Sequence, residues 1–220
     1  MDKKPKAIIF DMDGVLIDSM LYWIEQDGEF LRTRNIILTE EIIKRFSGRS
    51  EEENMNWLKE NHGLKESLAE LRAARDVFTE KIYTDKSQLM PGVLELMEKI
   101  KKIGLKRAIA SGAPMKRIEK VVQRFGWHDY FQALVSPDLV DFIGKPDPRV
   151  YLYAAECLQV APEDCLVFED AENGVIAAKK AGMTCIAIPD KRWSFGDFSQ
   201  ADLIVESLSD ERINKFLEDI

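Results

Sequence analysis

From Pro91 onward the sequence alternates helical stretches with short apolar runs, and this rhythm restricts the possible folds more than any other feature. The helical stretches "PGVLELMEKIKKIG", "PMKRIEKVVQRFG", "PRVYLYAAECLQ" and "AENGVIAAKKAG" are separated by "LKRAIAS", "QALVS", "CLVFED" and "MTCIAI". Proline repeatedly opens these helices and glycine repeatedly closes them. Strands of this length alternating with helices require right-handed crossovers, which give a mostly parallel sheet with helices on both faces. The apolar run Lys6–Phe10 reads as one more strand of that sheet. Between it and Pro91, from Met20 to about Thr84, the periodicity is helical throughout, with room for roughly four helices. Thr39 before "EEIIKRF", and Ser50 with Glu53 in capping-box spacing, mark two helix starts. The expected organisation is therefore an α/β core, residues 1–19 and 87–220, interrupted by a helical cap, residues 20–86.

Composition bounds what such a chain does. At 220 residues and 45% hydrophobic it has enough apolar mass for one good-sized domain carrying an insert. A formal net charge of −8 argues against a general nucleic-acid or anionic-membrane binder, so anionic substrates must be met by local cations. The start "MDKKPKAIIF" has too short an apolar run for a signal peptide or a spanning helix, and a cytoplasmic monomer or weak homodimer is expected. Three cysteines without CxxC spacing read as small buried hydrophobes. With only two histidines, His62 and His128, a histidine relay or zinc site is poorly supplied. His62 sits before Gly63, where a helix would stop. Trp57 and Trp127 read as core residues, and the loop carrying Trp193 reads as folding back on its own core rather than onto a partner.

The chemistry is expected beyond the carboxyl ends of the strands, where an open parallel sheet places its ligands. Asp11 and Asp13 follow the first strand in "FDMDG", and two like charges this close need a cation or a shared proton. Ser111 and Gly112 follow "KRAIA", Lys145 lies in the loop after "QALVS", and Glu169 and Asp170 follow "CLVF". Asp11, Asp170 and a backbone carbonyl supply the hard oxygen donors that Mg²⁺ prefers. Ser111 and Lys145 suit the remaining oxygens of a phosphate. Gly14 lets the turn approach closely.

The segments "DMDGVLIDS", "ASG", "GKPDPRVYLYAAECL" and "VFEDAENGVIAAKKAGM", in this order, resemble the haloacid dehalogenase-like hydrolases, in particular the β-phosphoglucomutase-like phosphatase subgroup, over about Lys6 to Pro189. The resemblance implies a Rossmann-like core with an inserted helical cap and a Mg²⁺-dependent reaction through an aspartyl-phosphate. It makes Asp11 the nucleophile and Asp13 the general acid and base, with the Asp13 carbonyl on the metal. By the same likeness Asp170 is a metal-binding acid, Glu169 its neighbour at the metal, and Ser111 and Lys145 the phosphate-binding positions. Gly112 stands where relatives often carry a more polar residue, and Arg49 in "FSGRSEEE" is similar to substrate-contacting cap loops. The implied substrate is a small phosphomonoester such as a sugar or polyol phosphate. The alternatives are a sugar phosphomutase and a non-catalytic ligand-binding regulator. Against the mutase, its pattern carries a histidine on the first cap helix, and the matching position here is Trp23.

Overall fold

The computed structural model describes residues 4–217, so the three residues at either end of the expected core lie outside it. Six parallel strands form one sheet in the order β3-β2-β1-β4-β5-β6. They are β1 (Ala7–Phe10), β2 (Lys106–Ala110), β3 (Ala133–Val135), β4 (Cys165–Glu169), β5 (Thr184–Ala187) and β6 (Leu203–Ile204). Strands β1 and β4 are buried along their whole length, as a central pair covered on both faces must be.

Pleating sorts the side chains. Ile8 and Phe10 face a layer with Met97 and Ile100 of helix α5 (Val93–Lys102) and Ile118 and Val121 of α6 (Met115–Phe125). Ala7 and Ile9 face Tyr151 and Ala154 of α7 (Arg149–Leu158) and Val175 and Ala178 of α8 (Glu172–Lys180). A short α9 (Asn214–Leu217) ends the described chain. Cys165 and Cys185 are buried in the sheet as expected, but Cys157 is exposed on α7. That helix is amphipathic, and position 157 falls on its solvent stripe.

The insert holds α1 (Met20–Arg32), α2 (Glu40–Phe46), α3 (Glu51–His62) and α4 (Leu68–Lys81), followed by a π-helical turn at Ile82–Lys86. Thr39 caps α2 by accepting from the Ile42 N–H, Ser50 and Glu53 close a capping box on α3, and Gly63 takes the left-handed conformation that ends it. A second capping box, Ser67 with Glu70, opens α4. The four helices bury their own apolar centre of Phe30, Leu31, Ile42, Met55, Leu58 and Leu71. The chain leaves and re-enters the sheet domain side by side, with Ile17 paired antiparallel to Leu89 and the Met90 N–H donating to the Leu16 carbonyl at 3.0 Å. Among the described residues no helix is long and apolar enough to cross a membrane.

Candidate active site

The strand ends named above converge. Asp11 follows β1, Ser111 follows β2, Glu169 ends β4, and Asp170 comes next; all four line one pocket with Asp13, Arg49 and Gly112. Lys145 lies behind them, fully buried. Its ammonium donates to Asp11 Oδ1 and Glu169 Oε1, both at 2.5 Å, and to the Ala110 carbonyl at 3.1 Å, so all three donors are used. Burial would lower the Lys145 ammonium, but Asp11 and Glu169 more than offset it and hold it charged.

Glu169 is a fully engaged carboxylate. Oε1 accepts from Lys145 and from the Tyr151 hydroxyl at 2.5 Å, and Oε2 accepts from the Asp170 and Ala171 N–H groups at 3.0 Å. Its geometry is that of a group that fixes Lys145 and the 170–171 turn. Asp11 and Asp170 are less occupied: Lys145 takes one oxygen of Asp11, and the Trp193 indole N–H takes Oδ2 of Asp170 at 3.1 Å. Each keeps a second oxygen.

One carboxylate oxygen from each of Asp11, Glu169 and Asp170 lies within 4.8 Å of the other two. Burial pushes the Asp11 carboxyl up to about 8 despite Lys145, and it drives Asp170 well above the usual carboxylate range, with Glu169 and Asp11 adding to it. One lysine is too little countercharge for three buried acids. The donor set, buried hard oxygens of which Asp11 and Asp170 each keep one unengaged, fits a divalent cation such as Mg²⁺, whose charge would reverse both shifts.

Asp13 points elsewhere. Its Oδ1 accepts from the Ser19 hydroxyl at 2.5 Å and from the Trp23 indole at 3.4 Å, and its Oδ2 accepts from the Tyr83 hydroxyl at 3.1 Å. Trp23 also donates to the Tyr83 oxygen at 3.0 Å. Burial raises the Asp13 carboxyl against these hydrogen bonds. A half-buried carboxyl, oriented by three donors and separate from the three-acid cluster, is suited to exchanging a proton. Its side chain is not one of the three acids of the cluster.

Two glycines make the site possible. Gly14 has φ +83°, and a Cβ there would stand 2.2 Å from Asp170 Oδ2. At Gly112 a Cβ would stand 2.9 Å from the carbonyl oxygens of Gly48 and Arg49, so the cap loop rests directly on the turn after β2. The same loop accepts from the Lys145 N–H at the Gly48 carbonyl, 3.1 Å, and from Asn173 Nδ2 at the Ser47 carbonyl, 2.9 Å. Arg49 thus lies beside the turn after β2, with its nearest carboxylate, Glu53, at 3.9 Å and a buried Nε without a partner. Ser111 is buried, with its Oγ accepting from the Ala113 N–H at 3.1 Å.

Sequence reasoning did not find Tyr83, Tyr151 or Ser19 as site residues. Tyr151 sits at ordinary helical spacing in a core stripe and carries no local signal. The Trp193 loop does fold back on its own core, and in doing so it supplies the indole that holds Asp170. Trp57 and Trp127 pack in the cap and core clusters.

A family model described as haloacid dehalogenase-like hydrolase matches residues 5–182. The phosphorylated carbohydrates phosphatase of Thermotoga maritima is 34% identical over 178 residues, covering 81% of this chain and 82% of that protein. The β-phosphoglucomutase of Bacillus subtilis is 32% identical over 213 residues, 93% of this chain and 91% of that one. The crystal structure of CbbY from Rhodobacter sphaeroides in complex with phosphate superposes with a TM-score of 0.82 at 24% identity, covering 93% of this chain and 95% of that one, and so shares the fold. The strand-end residues, the inserted helical block and these matches agree that the chain is an enzyme of the haloacid dehalogenase-like hydrolase family.

Proposed function

We propose that the protein is a Mg²⁺-dependent phosphatase that hydrolyses a small phosphorylated metabolite, a sugar or polyol phosphate, through a phosphoryl group carried on Asp11. One observation carries the reading: Asp11 stands between Lys145 and the Asp170 cluster, while Asp13, in the same pocket, is held separately by Ser19, Tyr83 and Trp23. In this reading Asp11 attacks phosphorus as the bond to the leaving oxygen breaks. Asp13 gives its proton to the departing alkoxide and then takes one from the water that cleaves the aspartyl-phosphate. Ser111 and Arg49 hold phosphate oxygens, Lys145 joins them by exchanging one of its three present acceptors for a phosphate oxygen, and Gly112 lets the cap loop close over them. Asp11, Asp170 and the Asp13 carbonyl would hold Mg²⁺, with Glu169 orienting its neighbours. The ion, when bound, neutralises charge on the transferring phosphoryl group. Residues 20–86 act as the cap and 1–19 and 87–220 as the catalytic core.

Hydrolysis is preferred to mutase chemistry because Trp23, where the mutase pattern has histidine, donates to Asp13 but cannot relay a proton near neutral pH. The experiment is a release assay on phosphorylated sugars and polyols with Mg²⁺, run on wild type, on EDTA-treated protein and on Asp11→Asn. Both treated samples should be folded and inactive. Retained activity in both would discard the covalent, metal-assisted reading. Predominant glucose 6-phosphate rather than free phosphate, from β-glucose 1-phosphate with catalytic glucose 1,6-bisphosphate, would favour the mutase.

A further inference from the structure

Away from the phosphate end, the pocket wall is built from buried charges that satisfy one another. Arg75 of α4 makes a paired contact with Asp27 of α1, Nε to Oδ1 at 2.7 Å and Nη2 to Oδ2 at 2.8 Å. Its third arm, Nη1, donates to Glu51 Oε1 at 3.1 Å. Arg117, from α6 on the core side, reaches the same Glu51 oxygen at 3.0 Å and Asp76 Oδ1 at 2.7 Å. Both guanidiniums also lie over the Trp23 ring, at 4.4 and 5.1 Å from its centroid. Asp27, Glu51, Arg75 and Arg117 all line the pocket.

Two cations converging from opposite sides on one point of a binding pocket would ordinarily make a subsite for a substrate anion, as guanidinium forks do for carboxylate and phosphate. Here that point is filled by the protein's own carboxylate. We infer that Glu51 is a specificity-determining residue that takes the place of a substrate anion, so that the pocket accepts phosphomonoesters whose leaving group is uncharged and hydroxylated and rejects those bearing a carboxylate or a second phosphate. The inference rests on the phosphatase reading above.

The pairing supports it. The lining charges of the network balance, Arg75 and Arg117 against Asp27 and Glu51, and Asp76 just behind them is shared by Arg117 and Lys116, so no positive charge is left over for a ligand. An incoming anion finds neither guanidinium unpaired and would have to displace a carboxylate already seated there; a hydroxyl meets carboxylate acceptors and the apolar face of Trp23 instead. The lining guanidinium outside this network is Arg49, and its loop rests on Gly112 at the other end, against the transferring phosphate.

A matched pair of substrates tests the inference: glucitol 6-phosphate and 6-phosphogluconate differ only at C1, a hydroxymethyl group in one and a carboxylate in the other. Wild type should favour glucitol 6-phosphate in kcat/KM by at least about 10-fold. Glu51→Gln keeps the shape and leaves Arg75 paired with Asp27 and Arg117 with Asp76; it should narrow that ratio at least about 10-fold by gaining on 6-phosphogluconate. Asp27→Asn, which loosens Arg75 from the other side, should shift the ratio in the same direction and serves if Glu51→Gln does not fold. The Kd values of both ligands, measured by calorimetry in an Asp11→Asn background with Mg²⁺, should follow the same order. Equal use of the two substrates by wild type, or variants that leave the ratio unmoved, would overturn the assignment. A wild type inert toward every phosphomonoester, p-nitrophenyl phosphate included, would sink the phosphatase reading alone, and the calorimetric ratio would still decide the role of Glu51.

Discussion

Asp11 and Asp13 are two residues of the same type, one residue apart, and their surroundings divide the labour between them. Asp11 faces an ammonium and two more acids, whereas Asp13 is turned into a cradle of neutral donors, Ser19, Tyr83 and Trp23. Lys145, with the cation that the acid cluster fits, would keep Asp11 ionised for attack, whereas at Asp13 burial raises the carboxyl against its three hydrogen bonds, towards the range in which it can exchange a proton. Asp13→Asn should therefore lower turnover by ~10²- to 10⁴-fold, the usual worth of general acid-base catalysis. The loss in the first step should be smaller for a nitrophenyl ester, whose leaving group needs little protonation. Single-turnover rates of phosphoenzyme formation on good and poor leaving groups measure this, and an equal loss on both would remove Asp13 from the acid role. The aspartates themselves were readable because they directly follow a strand that can only be central. Their partners were not: Tyr83 lies 70 residues from Asp13 and Trp193 lies 23 from Asp170, and nothing local to either marks it as a partner.

Elements reach the site through loops that touch without side chains between them, and Gly112 shows how narrow the clearance is. The turn after β2 and the cap loop before α3 meet backbone to backbone, so a methyl group at Gly112 would press on the Gly48 and Arg49 carbonyls from 2.9 Å. Gly112→Ala should leave the sheet intact, since the strand ends before it, but push the cap loop off the turn that carries Ser111. A displacement near 1 Å is enough to cost about 10²-fold in rate. The expected result is a Tm close to wild type with kcat/KM reduced by that order; unchanged kinetics would show that the loop does not need this contact. Most elements were legible in the sequence because their signals are local: Pro-opened helices, the Thr39 cap, the Ser50 box and Gly63 all stand where the structure uses them. The Gly112 contact was not, because it depends on which loop of the insert lands there, a matter of tertiary docking.

The whole molecule is closed by charge as well as by loops. Arg117 leaves the core helix α6 to meet Glu51 and Asp76 of the insert, Lys116 beside it reaches Asp76 at 2.6 Å, and Lys44 of α2 pairs with Glu172 of α8 at 2.7 Å. None of this network was legible from local pattern: its pairs lie 48, 24 and 66 residues apart in Arg75–Asp27, Arg75–Glu51 and Arg117–Glu51, and a lone Glu in "SEEEN" reads as a helix-start acid. Its pH dependence follows from sign. Burial raises the Glu51 carboxyl, but Arg117 and Arg75 outweigh burial and bring it below its ordinary 4.5. A group whose folded pKa is depressed binds fewer protons folded than unfolded, so its stabilisation is complete above about pH 4.5 and is lost as pH falls through the lower folded value. Glu51→Gln removes that contribution at every pH, at a cost of about 1.5–3 kcal/mol for hydrogen bonds to charged groups. In a chain of this size that is a fall in Tm of roughly 3–12 °C at pH 7. Thermal melts of both proteins from pH 7 to pH 3.5 should show the gap holding down to about pH 5 and closing below it, as wild type loses what the variant never had. A gap that stays constant to pH 3.5, or widens on acidification, would mean that Glu51 does not hold cap and core together as a charge.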